Sequence, residues 1–148
     1  MPRIALFVLL LCVTGCPQQA PTSGPHRDVV VKPPTFASNY SPAIRTGGLV
    51  FLSGMVGFDA ATGELVPGGV GPETKQAVAR IKETLGKAGL GLRDVVKCTV
   101  LLADIADYET MNRAYRPLWP SEPPARTTMQ ATPPLDARVE IECIAAAK

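Results

Sequence analysis

The chain has 148 residues, a formal net charge of only +2 and a single histidine. Lysine and arginine are not clustered, which argues against nucleic-acid binding through a basic face. His26 precedes the predicted domain, so that domain contains no histidine base, no histidine metal ligand and no Ser-His-Asp triad. Carboxylates, arginines, hydroxyls and backbone groups remain as candidate functional groups, and we expect no metal site.

The first 15 residues have the pattern of a secretory signal. Residues 4–13 form an unbroken apolar run, which is too short for a membrane-spanning helix of about 20 residues but typical of a signal core. The following "CVTGC" resembles a bacterial lipobox and predicts that Cys16 is lipidated, although an ordinary signal with a nearby cysteine is the alternative. We therefore expect an exported, membrane-anchored lipoprotein facing the periplasm or the cell surface, with the choice of membrane left open.

Residues 16–33 are predicted to be the lipidated cysteine and a flexible tether, because proline, glutamine, serine and glycine dominate the segment. Within it, "DVVVK" could form a short edge strand. Residues 34–148 are predicted to be one domain of ordinary size.

The domain alternates between strand and helix patterns. Apolar spacing predicts a helix that has Pro72 in its first turn and ends at Gly89, and a second helix from about Asp107 to Leu118. The remaining apolar runs predict strands at 49–56, 94–103, 126–132 and 138–146. Together these elements predict an α+β domain with two helices on one face of a mixed sheet. "PPLDA" joins the last two strands and does not favour a tight hairpin.

The other sheet face is predicted to be uncovered. On the last strand, one set of alternating residues is expected under the helices (Val139, Ile141 and Cys143). The other set is expected on the open face, together with polar residues of the strand before it (Arg138, Glu140, Glu142, Arg126, Thr128 and Gln130). Because apolar residues of strand 49–56 also reach this face, we expect an oligomer that packs these faces together. For Cys98 and Cys143, two buried free thiols are favoured over a disulfide, since no disulfide framework is present.

Four stretches resemble the RidA/YjgF family, also named endoribonuclease L-PSP: "NYSPAIRTGGLVFLSGMVG", "GLGLRDVVKCTVLLADIADYETMNRAY", "PPARTTMQA" and "RVEIECIAAA". The resemblance covers residues 38–148 and implies a chorismate-mutase-like (ferredoxin-like) subunit. It also implies a homotrimer with three clefts at the subunit interfaces. Family members hydrolyse enamine and imine intermediates to 2-keto acids and ammonia without a cofactor.

The resemblance also implies the site residues. Arg126 corresponds to the arginine that binds the substrate carboxylate, and Glu140 to the glutamate that orients or deprotonates water. The remaining substrate contacts are expected at Tyr40, Ser53, Gly54, Asn112 and Thr128. The alternatives are an Arg126 that pairs with Glu140 or Glu142, an edge tyrosine, a turn serine, and a capping or interface role for Asn112.

Three functional classes follow from these residues. The first is deamination of enamines and imines, with a small imino or keto acid as partner. The second is a non-catalytic trimeric ligand-binding or chaperone-like lipoprotein. The third is a ribonuclease, which the absence of histidine and of a basic face disfavours.

Overall fold

The computed structural model describes residues 26–32 and 39–147. The predicted signal segment and the predicted lipidation site Cys16 lie outside these ranges. Neither helix within them combines the length and the hydropathy that a membrane span requires.

The described part of the chain contains nine strands and two α-helices. The strands are β1 (Asp28–Val31), β2 (Ala43–Thr46), β3 (Leu49–Leu52), β4 (Met55–Val56), β5 (Phe58–Asp59), β6 (Glu64–Leu65), β7 (Val95–Leu102), β8 (Ala125–Gln130) and β9 (Val139–Ala146). The helices are α1 (Val70–Lys87) and α2 (Tyr108–Tyr115).

The main sheet has the strand order β1-β2-β3-β9-β7-β8, with β4 also paired to β9. The β7–β8 pair is parallel and its other pairs are antiparallel, while β5 and β6 form a separate small hairpin. This mixed sheet with two helices confirms the predicted fold class. β8 and β9 are separated by β7, so the predicted absence of a tight hairpin between them is also confirmed.

Helix α1 forms where the apolar spacing places it. Ala77, Val78, Ile81 and Leu85 lie on its buried face, and Gly89 ends the element with a left-handed φ of 75°. α2 is shorter than predicted, because residues 116–118 form a 3-10 turn. Pro117 has no N–H to donate to the next helical hydrogen bond, which explains the tightening.

The N-terminal half of the sheet differs from the prediction. The expected strand 49–56 is interrupted at Ser53 and Gly54, which separate β3 from β4. Strand β2 was not predicted, although Gly47 and Gly48, both with positive φ, form the tight turn that joins it to β3. The predicted edge strand β1 is present and pairs with β2, so the sheet begins upstream of the boundary predicted at residue 34.

The alternation on β9 is confirmed. Val139, Ile141 and Cys143 are buried, and Glu142 is exposed. Glu140 is half-buried and points to the same side as Glu142. The helix-covered side of this strand therefore contributes to the core, while its other side carries two carboxylates.

The predicted orientation of β8 is wrong. In the parallel register, Arg126 lies beside the core residue Cys98, and Thr128 lies beside the core residue Val100. Neighbours in register point to the same face of a sheet, so Arg126, Thr128 and Gln130 lie on the face that carries the helices. The sequence does not reveal this side, because β8 is a largely exposed edge strand with few apolar residues to mark an inner face.

Arg138 also departs from the predicted polar set. Its guanidinium pairs with Asp107, just before α2, with Nη2 2.6 Å from Oδ2. Its backbone N–H donates to the buried carboxylate of Glu73 at 2.7 Å. Arg138 therefore ties the start of β9 to both helices.

The open face carries several apolar side chains. Phe51 and Met129 are among its most exposed members, and Leu49, Leu101 and Ile144 lie on the same face. The helix-covered positions of β3 are Val50 and Leu52.

Cys98 and Cys143 form a disulfide, so the preference for free thiols is wrong. The two residues face each other directly on β7 and β9, with Cα atoms 4.1 Å apart. Strand register, which cysteine counting does not reveal, brings the two sulfurs together in the core.

We predict a large loss of stability on reduction. The disulfide closes a loop with a sequence separation of 45 residues, for which chain entropy gives about 4 kcal/mol. Thermal unfolding of the wild type should shift to a lower Tm with reductant. The C98A/C143A double variant should unfold at a Tm that reductant does not change. An equal response of both proteins to reductant would contradict the assignment.

Candidate active site

Arg126 is held between two tyrosine rings of α2. Its guanidinium carbon lies 4.9 Å from the ring centroid of Tyr115 and 5.7 Å from that of Tyr108. Nη2 lies 3.4 Å from the Tyr108 hydroxyl, and Nη1 lies 3.9 Å from the Met111 sulfur. The ion pairs formed within the described ranges do not include Arg126. Cation–π contacts therefore orient the guanidinium and leave its charge available to a ligand.

Burial raises the pKa of Tyr115 to about 12, although the Arg126 cation acts in the opposite direction. Its ring centroid lies 5.1 Å from that of Trp119, and within the described ranges neither the Tyr115 hydroxyl nor the Trp119 indole N–H has a hydrogen-bond partner. Tyr115 consequently stays neutral at physiological pH, and its ring is a fixed wall beside Arg126.

A cavity of about 330 Å³ opens in front of this arginine. Tyr108, Asn112, Tyr115, Arg116 and Arg126 line it, and Pro123 and Pro124 complete its wall. Asn112 lies within α2 rather than at its end, which removes the capping alternative. The sequence prediction missed Tyr108, Tyr115 and Arg116 as cavity residues. The two tyrosines are seven residues apart, which places them on the same face of a helix, two turns from each other. This spacing could have indicated that both line one site.

The predicted glutamate lies on another part of the molecule. Glu140 is half-buried on β9 beside Gly54, which lies between β3 and β4. A Cβ on Gly54 would clash with the Glu140 carboxylate. Burial, and secondarily the Glu142 carboxylate, raise the pKa of Glu140 above the ordinary value of 4.5. A raised pKa suits a carboxylate that must accept a proton from water.

Ser53 precedes Gly54 and is hydrogen-bonded to the segment that follows Tyr40. The Ser53 hydroxyl donates to the Ser41 carbonyl at 2.8 Å, and its N–H donates to the Pro42 carbonyl at 3.1 Å. Ser53 therefore anchors the segment that carries Tyr40, whose side chain is 47% exposed.

The predicted site residues thus form two groups. The arginine group contains Arg126, Asn112 and Thr128, whose buried hydroxyl has no hydrogen-bond partner among residues 26–32 and 39–147. The glutamate group contains Glu140, Ser53, Gly54 and Tyr40. Arg126 and Glu140 lie on opposite faces of the sheet with β7 between their strands, so one small ligand cannot contact both within a single chain.

A larger depression, of about 490 Å³, lies at the end of α1 near Arg45 and Asp94. It contains none of the predicted residues. The Arg45 guanidinium already donates to the Ala88 carbonyl at 2.7 Å, so its charge is partly engaged there. Residues 26–32 and 39–147 hold no group of three or more side chains suited to a metal ion.

We predict that Gly54→Ala inactivates the site without unfolding the protein. The new Cβ would displace a flexible carboxylate rather than backbone atoms, and a shift of about 1 Å in a catalytic group can cost about 100-fold in rate. Gly86→Ala is the matched control, because its new Cβ would meet no described atom outside the helix's own backbone within 4 Å and alanine favours a helix. It should keep full activity. Equal activity of both variants would contradict the role given to Gly54.

Comparison with known proteins identifies relatives of this chain. The endoribonuclease L-PSP family model matches residues 31–147. A Bos taurus protein named 2-iminobutanoate/2-iminopropanoate deaminase is 47% identical over 115 residues, which are 77% of this chain and 84% of that protein. The solved RidA from the Antarctic bacterium Psychrobacter sp. PAMC 21119 superposes with a TM-score of 0.70 at 32% identity, over 80% of this chain and 95% of that one.

A second solved structure, E. coli TdcF with bound serine, has a TM-score of 0.69 at 30% identity over 74% of this chain and 88% of its own. The mixed sheet and the two helices define a chorismate-mutase-like domain. The chain belongs to the endoribonuclease L-PSP family, also called the RidA/YjgF family.

Proposed function

We propose that this protein hydrolyses reactive enamine and imine derivatives of amino acids to 2-keto acids and ammonia. The observation that carries the proposal is Arg126, which two tyrosine rings hold with its charge facing a cavity. A guanidinium binds a carboxylate through two parallel hydrogen bonds. The bovine relative is named for imino-acid deamination, and TdcF was solved with serine, a carboxylate-bearing ligand. Both support this reading.

The chemistry requires little from the side chains. An imine carbon is already electrophilic, so water adds to it directly. The new C–O bond forms while Glu140 accepts the proton of the water, and the nitrogen takes up a proton. Glu140 returns its proton to the nitrogen, the C–N bond breaks to release ammonia, and loss of the hydroxyl proton gives the keto acid. Each step is a proton transfer, the addition of water or the loss of ammonia, and we expect no cofactor.

We also propose that the site lies between copies of the chain in a homotrimer. The separation of Arg126 and Glu140 on opposite faces supports it, because a neighbouring chain can bring its glutamate group to the arginine group. The apolar open face, which includes Leu49, Phe51 and Met129, also supports it, because such a surface favours burial. Each of the three interfaces would then contain one complete site.

Export as a lipoprotein acylated at Cys16 is a further part of the proposal. The "CVTGC" motif supports it, and so does the Cys98–Cys143 disulfide, since disulfides persist mainly outside reducing compartments. In a Gram-negative host the full chain should incorporate labelled palmitate and partition with membranes. Cys16→Ser should abolish the labelling. A protein that retains Met1 in the cytoplasm would overturn this part.

Release of keto acid tests the enzymatic proposal. Imines are generated in situ from amino acids by an amino-acid oxidase, and the protein is added without metal or cofactor. We expect acceleration of keto-acid release over the spontaneous rate. A protein that binds keto acids but accelerates no imine would establish the ligand-binding alternative.

A further inference from the structure

The cavity in front of Arg126 contains a second cation. Arg116 follows the last residue of α2 and lines the same cavity as Arg126, and none of the lining residues is acidic. Across residues 26–32 and 39–147, the side chain of Arg116 takes part in no ion pair and no hydrogen bond to another side chain. Two positive charges therefore face one small cavity.

A simple imino acid would use only one of these charges. Its carboxylate engages Arg126, whose guanidinium is fixed between Tyr108 and Tyr115. Arg116 is exposed, and an arginine side chain has the rotamer freedom to meet the far end of a longer ligand. A cavity of about 330 Å³ is in the size range of small-molecule sites.

We propose that the preferred substrates are imino acids whose side chain ends in a second anionic group, and that Arg116 binds this group. The inference rests on the imine hydrolysis proposed above. In such a complex Arg126 holds the carboxylate beside the imine carbon, while Arg116 holds the distal carboxylate or another anion. Each cation in the cavity then has a partner.

Arg116 also has a structural reading. A cation at the end of a helix interacts favourably with the helix dipole, and Arg116 occupies that place on α2. This role changes stability and affects all substrates alike. A role in recognition changes the ratio between acidic and apolar substrates.

The experiment compares two imines with the same protein preparation. 2-Iminoglutarate is generated from glutamate by glutamate oxidase. 2-Iminobutanoate is generated from 2-aminobutanoate by a general amino-acid oxidase. The wild type should show the higher kcat/KM with 2-iminoglutarate. Arg116→Ala should lower the ratio of the two kcat/KM values by about tenfold, through a higher KM for the acidic substrate.

Two controls separate the outcomes. Arg113 lies on α2, three residues before Arg116, is exposed and donates to the Thr110 hydroxyl rather than lining the cavity, so Arg113→Ala should leave the ratio unchanged. Arg116→Lys should restore part of the preference, because the charge returns. An unchanged ratio in Arg116→Ala would overturn the inference while leaving imine hydrolysis intact. A wild type inactive on both imines would overturn the proposed function itself.

Discussion

Arg126→Ala should lower kcat/KM for imino acids by at least about 100-fold. The substrate carboxylate would lose two charge-assisted hydrogen bonds, each worth roughly 1.5–3 kcal/mol. The fold should survive, because the side chain lies on the edge strand β8 and its described contacts are two ring faces, the Tyr108 hydroxyl and the Met111 sulfur. Steady-state kinetics and a thermal unfolding scan on the same sample measure both quantities.

Arg126→Lys should not restore the activity, because an ammonium group cannot reproduce the planar fork or its stacking between the rings. Arg113→Ala removes a nearby cation from α2 without touching the cavity and should retain wild-type kinetics. Full activity in Arg126→Ala would show that another group anchors the substrate.

Glu140→Gln should lower kcat by about 100-fold or more while changing KM much less. The amide keeps the shape of the side chain but cannot accept the proton of the attacking water, and general-base catalysis contributes about 100- to 10,000-fold. A comparable rise in KM with an unchanged kcat would instead assign Glu140 to substrate binding.

The role of Glu140 as a base also predicts how activity depends on pH. Glu140 must be ionised to act as a base, and its pKa is raised by burial and by Glu142. Activity should therefore fall as the pH drops through a midpoint above 4.5. Glu142→Gln removes the neighbouring charge and should move this midpoint to lower pH while the enzyme remains active. In Glu140→Gln, the fall in activity at low pH should disappear.

Much of the fold could be predicted from the sequence because its signals are local. α1 and the inner residues of β9 follow helical and alternating apolar patterns, and both are confirmed. Strand β2 was missed because four residues without a long apolar run carry little signal. The Gly47–Gly48 pair indicates strand β2 only if the pair is recognised as the turn of a hairpin.

The candidate site was predicted less completely, because it depends on strand register. The residue types at Arg126 and Glu140 are visible in the sequence, but the side of the sheet on which each lies follows from pairing with β7. The disulfide depends on the same pairing. The clamp of Tyr108 and Tyr115 around Arg126 requires the position of α2 over β8, which no local pattern specifies.

Mixing two inactive variants tests most directly whether the site is shared between chains. Arg126→Ala and Glu140→Gln are each expected to be inactive alone. After they are unfolded together and refolded at equal amounts, each interface has an even chance of an intact arginine group and an even chance of an intact glutamate group. About a quarter of the sites should then be complete in a randomly mixed cyclic oligomer, so we expect about a quarter of the wild-type kcat, with the mass of three chains in sedimentation. If the mixture stays as inactive as its two components, both groups act within one chain and the shared site is contradicted.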